Sequence, residues 1–372
     1  MGRRRVVALV ATFVLVASAC GGDDDEDAVA GEDTSSTTTA GASGTSVPFQ
    51  LGDAQDLGPG AVAGVHPEAP IVYVLVEDPG SDVIGCEGVP RTFLWAHPLD
   101  DSDIGARRRA TPGDADIAGE VVVGGADGAV ALVEQCEGFL VAIATASASA
   151  DGTFTGVTVV EPTGLGEDGQ LAPSTISWGA DGRSWIGIFQ RYDGPEDIVQ
   201  IAADDGTTTV LATTADATAA VELADGTLVV SDPTGTSIGD GEPITSRQAY
   251  ELRVAPSGDR VAVFDQDGVT IIGPDQAPRR VFERDASIGT WSPTGDALAF
   301  LDVSNHDAIR AVLVHLGDTD RPSASATEHE LSADAGFAAP LFTADGTSVV
   351  YSDSVPHPDG YPVPEVMVRR VR

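Results

Sequence analysis

The sequence predicts an all-β fold, a β-propeller built from four-stranded blades. Helix signals are nearly absent, since no segment of a dozen residues between Val47 and Arg372 has a convincing 3.6-residue apolar period. Instead one unit recurs: an apolar strand, a turn that ends in glycine, and a second apolar or alternating strand. Its clearest copy is TWSPTGDALAFL at residues 290–301, where Pro293 sets φ for the turn and Gly295 takes the φ > 0 position. Such repetition is typical of propellers.

Six copies of this unit follow one another along the chain. Their turn glycines are Gly128, Gly182, Gly226, Gly258, Gly295 and Gly346. The intervals of 54, 44, 32, 37 and 51 residues average near the 40–50 residues of a propeller blade. Each interval leaves room for two further strands. A four-stranded blade cannot bury both of its faces alone, so we expect the blades to stack around an axis.

The two ends of the repeat array are less regular. Residues 61–111 contain apolar strand candidates but no clear turn, and we interpret them as a divergent first blade. In this alignment Glu-Asp-Pro-Gly at residues 77–80 stands in for the turn that ends in Gly128. The last unit has three evident strands, and a strand from near residues 47–51 is expected to complete it. The prediction is seven blades, with six as the alternative.

The first 20 residues have the features of an export signal. Arg3, Arg4 and Arg5 precede an apolar stretch of 11 residues, which is too short to span a bilayer, and small residues lead into Cys20. This resembles the lipobox of bacterial lipoproteins, although Ala17 stands where that family most often has Leu. The resemblance implies cleavage after residue 19 and a diacylglycerol on the thiol of Cys20. An ordinary signal peptide that contains a cysteine is the alternative.

The residues that follow favour an anchored protein. Residues 20–46 are acidic and rich in Ser and Thr, with little that could pack, so they predict a disordered tether between the lipid and the body. Residues 47–372 would then form a single propeller domain. The expected location is extracytoplasmic, with the membrane contacted through the N-terminal lipid.

Lipidation of Cys20 would leave two of the three cysteines, Cys86 and Cys136, in an oxidising compartment. Both stand in the tripeptide Cys-Glu-Gly, about one blade apart. We predict a disulfide between them, which would stabilise the fold by roughly 4 kcal/mol if unstrained. Two buried free thiols are the alternative. A zinc site is not expected, because neither cysteine has a second Cys or His close by in sequence.

The charge of the chain excludes one class of partner. There are 58 acidic and 20 basic residues, for a net charge of −38, and every basic residue is Arg. Nucleic-acid binding requires clustered cations, so we expect none. The one dense basic run of the body, Arg107 to Arg109, is interpreted as a solvated loop. The acidic excess favours solubility, while a saline habitat or a cationic partner would also explain it.

No motif in the body predicts catalysis. Gly235-Thr236-Ser237-Ile238-Gly239 matches the nucleophile elbow G-x-S-x-G, but no helix can follow it as that elbow requires. Asp265-x-Asp267-Gly268 begins like a calcium loop and lacks its distal Glu, so it predicts a hairpin turn. Glu328 and Glu330 would raise the proton affinity of His329 if they lay close to it, but the favoured interpretation is a solvated outer strand. We therefore expect no catalytic residues, metal or cofactor.

The repeated turns resemble those of TolB-like propellers, whose consensus is aromatic-Ser-Pro-Asp-Gly before an apolar strand. WSPTG at residues 291–295 is the best copy, WGADG at 178–182 and APSG at 255–258 are looser, and the resemblance covers residues 120–372. In that family the strand before the turn lines the central channel. The resemblance thus implies that Glu222, Arg253 and Thr290 lie near the axis. Trp178 and Trp291 hold equivalent positions, which favours blade packing over a sugar-stacking role.

Together these observations predict a lipid-anchored extracytoplasmic propeller that acts as a binding or interaction module of the cell envelope and is not an enzyme. Its expected partner is a protein, a peptide or a glycan. The alternative is an envelope enzyme, a glycan hydrolase or lyase whose site is assembled from scattered carboxylates at the propeller mouth.

Overall fold

A computed structural model describes residues 50–371 except 84–85, 101–105, 112–119, 137–138, 173–175, 275, 306–307, 317–325, 337 and 357–362. Residues 1–49, with Cys20, lie outside this part of the chain. The backbones of Cys86 and Cys136 are described but their side chains are not, so the lipid anchor and the disulfide stay predictions. Within the described residues, no helix has the length and apolar character needed to cross a membrane.

The strands form seven antiparallel sheets, which confirms the seven-bladed propeller. The inner strands are β2 (Ala61–Val65), β6 (Glu120–Val123), β11 (Ser177–Trp178), β15 (Ala219–Glu222), β18 (Glu251–Val254), β22 (Ala286–Trp291) and β26 (Leu341–Phe342). The second strands are β3 (Ile71–Val83), β7 (Ala129–Cys136), β12 (Ser184–Arg191), β16 (Leu228–Asp232), β19 (Val261–Asp265), β23 (Ala297–Asp302) and β27 (Ser348–Val355). In the third blade β10 (Gly169–Leu171) also pairs with β12, beside β11.

The outer half of each sheet completes the blade. The third strands are β4 (Cys86–Pro98), β8 (Phe139–Ala148), β13 (Glu196–Ala202), β17 (Gly235–Ile238), β20 (Gly268–Gly273), β24 (Arg310–His315) and β28 (Val363–Val371). The fourth strands are β5 (Arg108–Arg109), β9 (Phe154–Val159), β14 (Thr208–Thr214), β21 (Gln276–Phe282), β25 (Thr327–Ser332) and, in the last blade, β1 (Leu51–Pro59).

The ring closes by joining the two ends of the chain. β1 pairs antiparallel with β28 from Leu51 opposite Val371 to Pro59 opposite Glu365, so the expected closing strand exists but starts at Leu51. The guanidinium of Arg107 donates to the carbonyl oxygens of Leu57 and Pro59, both 2.7 Å away. The interpretation of the Arg107 to Arg109 run as a solvated loop is therefore wrong, because Arg108 and Arg109 form β5 and Arg107 holds the closing strand.

The six turn glycines are confirmed, with φ between 60° and 84°. Successive turns also contact one another around the ring. The amide of Ala126 donates to Gly182 O (2.7 Å), and that of Ala224 to Gly258 O (2.9 Å). A Cβ on Gly258 would lie 2.4 Å from Cβ of Ala224. Glycine is thus required both for φ and for the close approach of the neighbouring blade.

The first blade departs from the predicted alignment, because residues 77–80 lie inside β3 rather than in a turn. The turn between β2 and β3 is residues 66–70, and it is organised by a histidine. Nδ1 of His66 accepts from the amides of Glu68 (3.0 Å) and Ala69 (2.8 Å), while Nε2 donates to Ser149 O (2.8 Å). The imidazole therefore accepts turn amides as the carboxylates of Asp181 and Asp345 do in later blades.

The fourth blade has three strands instead of four. Residues 201–274 are described without a gap, and the sheet of β15, β16 and β17 is followed directly by irregular residues 239–250. Part of this segment replaces the missing strand, because the amide of Ile244 donates to Thr236 O on β17 (2.7 Å). The cover that blade four gives to blade five is consequently incomplete at its outer edge.

The core lies between neighbouring blades. Small residues fill much of it, and aromatic residues join the larger contacts: the rings of Phe264, Phe282 and Phe300 meet edge to face between blades five and six. A further repeated feature is an aspartate at the end of the second strand. Asp232, Asp265 and Asp302 each accept the amide two residues ahead, at 2.7, 2.8 and 3.1 Å. The predicted hairpin turn at Asp265 is thus confirmed as one member of this series.

Candidate functional site: the axial channel

Two charged residues of β18 form an ion pair at the centre of the propeller. The guanidinium of Arg253 contacts the carboxylate of Glu251, two positions earlier on the same strand. Leu252 between them points the other way, into the apolar cluster shared with blade four. A period of two thus puts both charges on one face of the strand. Their side chains are 13% and 25% exposed, for Glu251 and Arg253 respectively.

The carboxylate of Glu251 also accepts a hydrogen bond from the next blade. The donor is the amide of Gly289, 2.9 Å from Oε2. The register between β22 and β23 shifts at this point, between Ser287 and Gly289, and Ile288 has φ = +44°. A β-branched residue at positive φ is strained by about 1–3 kcal/mol, and such strain concentrates at functional sites. The bulge therefore aims a backbone donor at the ion pair.

A third charge reaches this pair from across the axis. Glu120 begins β6 of the second blade, whereas Glu251 and Arg253 belong to the fifth, so the two blades can meet only through the middle of the ring. Burial raises the pKa of Glu251, and Arg253 and Gly289 offset that only in part, while Glu120 adds to it. Burial opposes the charge of Arg253, but Glu251 and Glu120 outweigh it and raise the pKa of the guanidinium.

Arg253 keeps one donor unused. Its carbonyl oxygen accepts from the indole of Trp291 (2.8 Å), and its guanidinium contacts Glu251. Nε is buried and has no hydrogen-bond partner in the described part of the chain. Buried donors are normally satisfied, so the arrangement could bind a group that accepts at Arg253 and donates to Glu120.

The other two residues implied near the axis serve the architecture. Glu222 accepts the amide of Ala180 on the third blade (2.8 Å), and the hydroxyl of Thr290 donates to Pro340 O towards the last blade (2.7 Å). Both lie on inner strands, as the resemblance implied, and both tie neighbouring blades together. Sequence reasoning missed Glu251 and Glu120. The signal that could have found Glu251 is its i, i+2 spacing from Arg253 on an inner strand.

The remaining motifs have structural roles. The GTSIG segment starts with strand β17, in which Ser237 pairs with Val230, and no helix follows, so the elbow interpretation is excluded as expected. Trp178 and Trp291 pack between blades, as predicted. Burial and His315 lower the pKa of His329. Glu328 and Glu330 lie on the opposite face of β25, so the closeness on which a raised pKa depended is absent. Among described residues, no three or more His, Cys, Asp and Glu side chains are grouped as a metal site.

Comparison with solved structures shows the fold. An oligogalacturonate lyase in complex with manganese matches over 88% of this chain and 97% of its own, with a TM-score of 0.56 and 11% identity. The WD40 repeats of RRP9 match over 87% and 100%, at 0.54 and 11%. TolB from Acinetobacter baumannii matches over 82% and 80%, at 12% identity and a TM-score of 0.45. No protein-family model and no curated sequence matches this chain.

These comparisons correct one prediction. The expectation that the chain is not an enzyme was drawn from propeller architecture without a catalytic motif. An oligogalacturonate lyase has this architecture, so the inference from fold to a non-catalytic role is overturned. At 11% identity the likeness concerns the fold alone, and the substrate of that lyase does not carry over to this chain.

Proposed function

We propose that this chain is a lipid-anchored, extracytoplasmic propeller that binds a protein or peptide segment of the cell envelope at its axial channel. The observation that carries the proposal is the ion pair of Glu251 and Arg253, with a strained donor on one side, Glu120 on the other and an unused Nε. A peptide group supplies both an acceptor for Arg253 and a donor for Glu120. The acidic chain, with its net charge of −38, favours a cationic segment, because its field attracts one.

Site-specific photocrosslinking in intact cells tests the binding role. A photoreactive amino acid at Glu120 should give a discrete adduct, because Arg253 still holds the segment when Glu120 is replaced, and the matched position Val159, exposed on the outer strand of the same blade, should give none. The adduct should disappear in the double variant Glu251→Gln/Arg253→Met, which removes the pair without leaving one charge buried alone. An adduct that survives this variant, or equal labelling at both positions, would refute the channel site.

The anchor has its own test. Cys20→Ala, or treatment with globomycin, should release the protein from the membrane fraction, whereas Ser18→Ala should leave it there. Retention of the Cys20→Ala protein in the membrane fraction would contradict the anchor and leave the channel proposal standing.

The disulfide is tested separately. Non-reducing peptide mapping should show a peptide that joins Cys86 to Cys136, and two free thiols there would refute the disulfide.

A second candidate function is acid–base catalysis on a glycan at the same channel. The observation that favours it is that Glu251 and Glu120 face the same channel while burial raises the pKa of Glu251, since a carboxyl with a raised pKa is suited to general acid catalysis. The net charge of −38 disfavours a polyanionic substrate, so a neutral or cationic glycan is the better fit.

Glu251→Gln separates the two functions. Gln can still accept the amide of Gly289 but cannot donate a titrating proton, so crosslinking at Glu120 should persist while any turnover is lost. Turnover would be followed by the release of reducing ends or of unsaturated sugars from a panel of neutral and amino glycans. A turnover with an unchanged pH profile in Glu251→Gln would exclude Glu251 as the acid.

A further inference from the structure

The missing fourth strand of blade four leaves a cleft against blade five. Residues 244–247, which stand in its place, form one wall of a cavity of about 230 Å³. The other wall belongs to blade five, with Asp265, Thr270 and Arg280. Since a water molecule occupies about 30 Å³ in the liquid, the space admits several waters or one small polar ligand.

Two buried polar atoms of this cavity are unused. Asp265 is fully buried, and its Oδ1 accepts from the amides of Asp267 (2.8 Å) and Gly268 (2.9 Å) and from Nη1 of Arg280 (3.3 Å). Its Oδ2 has no partner among the described residues, and the same holds for Oγ1 of Thr270, a residue that is 4% exposed. An unsatisfied buried acceptor costs about 1–3 kcal/mol, so a partner for it is expected.

The register places both groups on one face. Val263 pairs with Thr270, and Asp265 with Gly268, so Asp265 and Thr270 share the side of the sheet that faces blade four. Arg280 pairs with Thr270 on the outer side. Arg247, on the loop, is engaged with Asp267 (3.1 Å). The cavity therefore combines carboxylate acceptors, guanidinium donors and a hydroxyl.

This mixture selects against simple ions. The carboxylate of Asp265 repels an anion, and the guanidinium groups of Arg280 and Arg247 repel a metal cation. A hydroxyl group, which both donates and accepts, can pair with every polar group on these walls.

We propose that the cleft between blades four and five binds a single sugar ring or a small polyol. One hydroxyl of the ligand donates to Oδ2 of Asp265, and Arg280 and Thr270 pair with adjacent hydroxyls. The site is separate from the axial channel and does not depend on the function proposed there.

Isothermal titration calorimetry with the full chain tests this, using glucose, galactose, N-acetylglucosamine and myo-inositol as probes and inorganic phosphate as the ionic counterpart. At least one hydroxylated probe should bind in the millimolar range or better. Thr270→Val should weaken that binding about tenfold, while the unliganded melting temperature stays equal or rises, because the variant deletes an unsatisfied hydroxyl.

The matched control is Thr158→Val, the same change on an exposed outer strand, which should alter neither binding nor melting temperature. The proposal is overturned if none of the four hydroxylated probes binds, if phosphate alone binds, or if Thr270→Val binds as the wild type does. A fall in the melting temperature of Thr270→Val would equally contradict an unsatisfied Oγ1.

Discussion

The indole N–H of Trp291 donates to the carbonyl oxygen of Arg253, 2.8 Å away on the preceding blade. Trp178 makes the same contact with Val122 O at 2.9 Å, three blades earlier. The aromatic residue of the repeated turn therefore links neighbouring inner strands by a hydrogen bond, in addition to filling apolar space between the blades. The hydrogen bond of Trp291 also fixes the peptide unit of the channel residue Arg253, so Trp291 contributes both to blade packing and to the candidate site.

Replacing Trp291 should lower the free energy of unfolding by more than the loss of its packing contacts alone. Trp291→Phe removes this hydrogen bond, while the carbonyl of Arg253 keeps its ladder partner Ala262, and we expect a loss of about 0.5–1.5 kcal/mol beyond the loss of ring volume. Trp185→Phe is the matched control, because Trp185 is buried and its Nε1 has no hydrogen-bond partner in the described residues. Urea denaturation of both variants measures the difference in the free energy of unfolding. Equal destabilisation would show that the hydrogen bond makes no net contribution to stability.

Two glycines distinguish the cost of a positive φ from the cost of a close contact with the neighbouring blade. Gly258 and Gly164 have similar φ values, 75° and 83°, but a Cβ on Gly258 would lie 2.4 Å from Ala224, whereas a Cβ on Gly164 would meet no described atom within 4 Å. Gly164→Ala should thus cost about 1 kcal/mol from backbone strain, and Gly258→Ala should cost at least 2 kcal/mol more. Melting temperatures that fall equally would show that the blades can yield at this contact.

The blade order was accessible from sequence because the turn chemistry repeats. The backbone of these turns requires a residue at φ > 0, which favours glycine. Gly182 and Gly346 therefore identify their turns from local sequence alone. The first blade escaped alignment because His66 organises its turn, and an imidazole that accepts two amides has no sequence pattern of its own. The Arg107 run was misjudged for a related reason, since its partners on β1 lie about 50 residues earlier in the chain.

The candidate sites were less accessible. Arg253 was expected at the axis by its place before a turn, but its relation to Glu120 and to the Gly289 amide depends on ring closure and on a bulge at Ile288. The cleft beside Asp265 depends on a strand that the fourth blade lacks. Local propensity reports neither long-range placement nor the absence of an expected element.

The closing strand should depend on Arg107. Arg107→Ala removes two charged hydrogen bonds to the carbonyls of Leu57 and Pro59, and we expect a loss of about 2–4 kcal/mol together with faster hydrogen exchange in β1. The control is Arg108→Ala, whose side chain is 62% exposed and pairs with Asp151 only at 3.5 Å, and which should change stability by less than about 1 kcal/mol. Unchanged hydrogen exchange in β1 would contradict the role of Arg107 in holding the closing strand.

Acid stability should depend on Asp302, which is 1% exposed. Burial alone would raise its pKa, but hydrogen bonds from Ser304, Arg310 and Arg284 outweigh this and hold the pKa below its usual value. A depressed pKa stabilises the fold above the unfolded value of about 3.9, and that stability is lost as the pH falls through the folded pKa.

Asp302→Asn should therefore cost about 3–5 kcal/mol at neutral pH, because two guanidinium groups lose their shared carboxylate. The fall of stability below pH 4 should also become shallower, by up to about 1.4 kcal/mol per pH unit, since one proton uptake is removed. Asp193→Asn, on an exposed turn, is the control and should reproduce the wild-type curve. Urea midpoints measured between pH 3 and pH 7 decide the matter: an acid slope in Asp302→Asn equal to that of the wild type would show that Asp302 is not depressed.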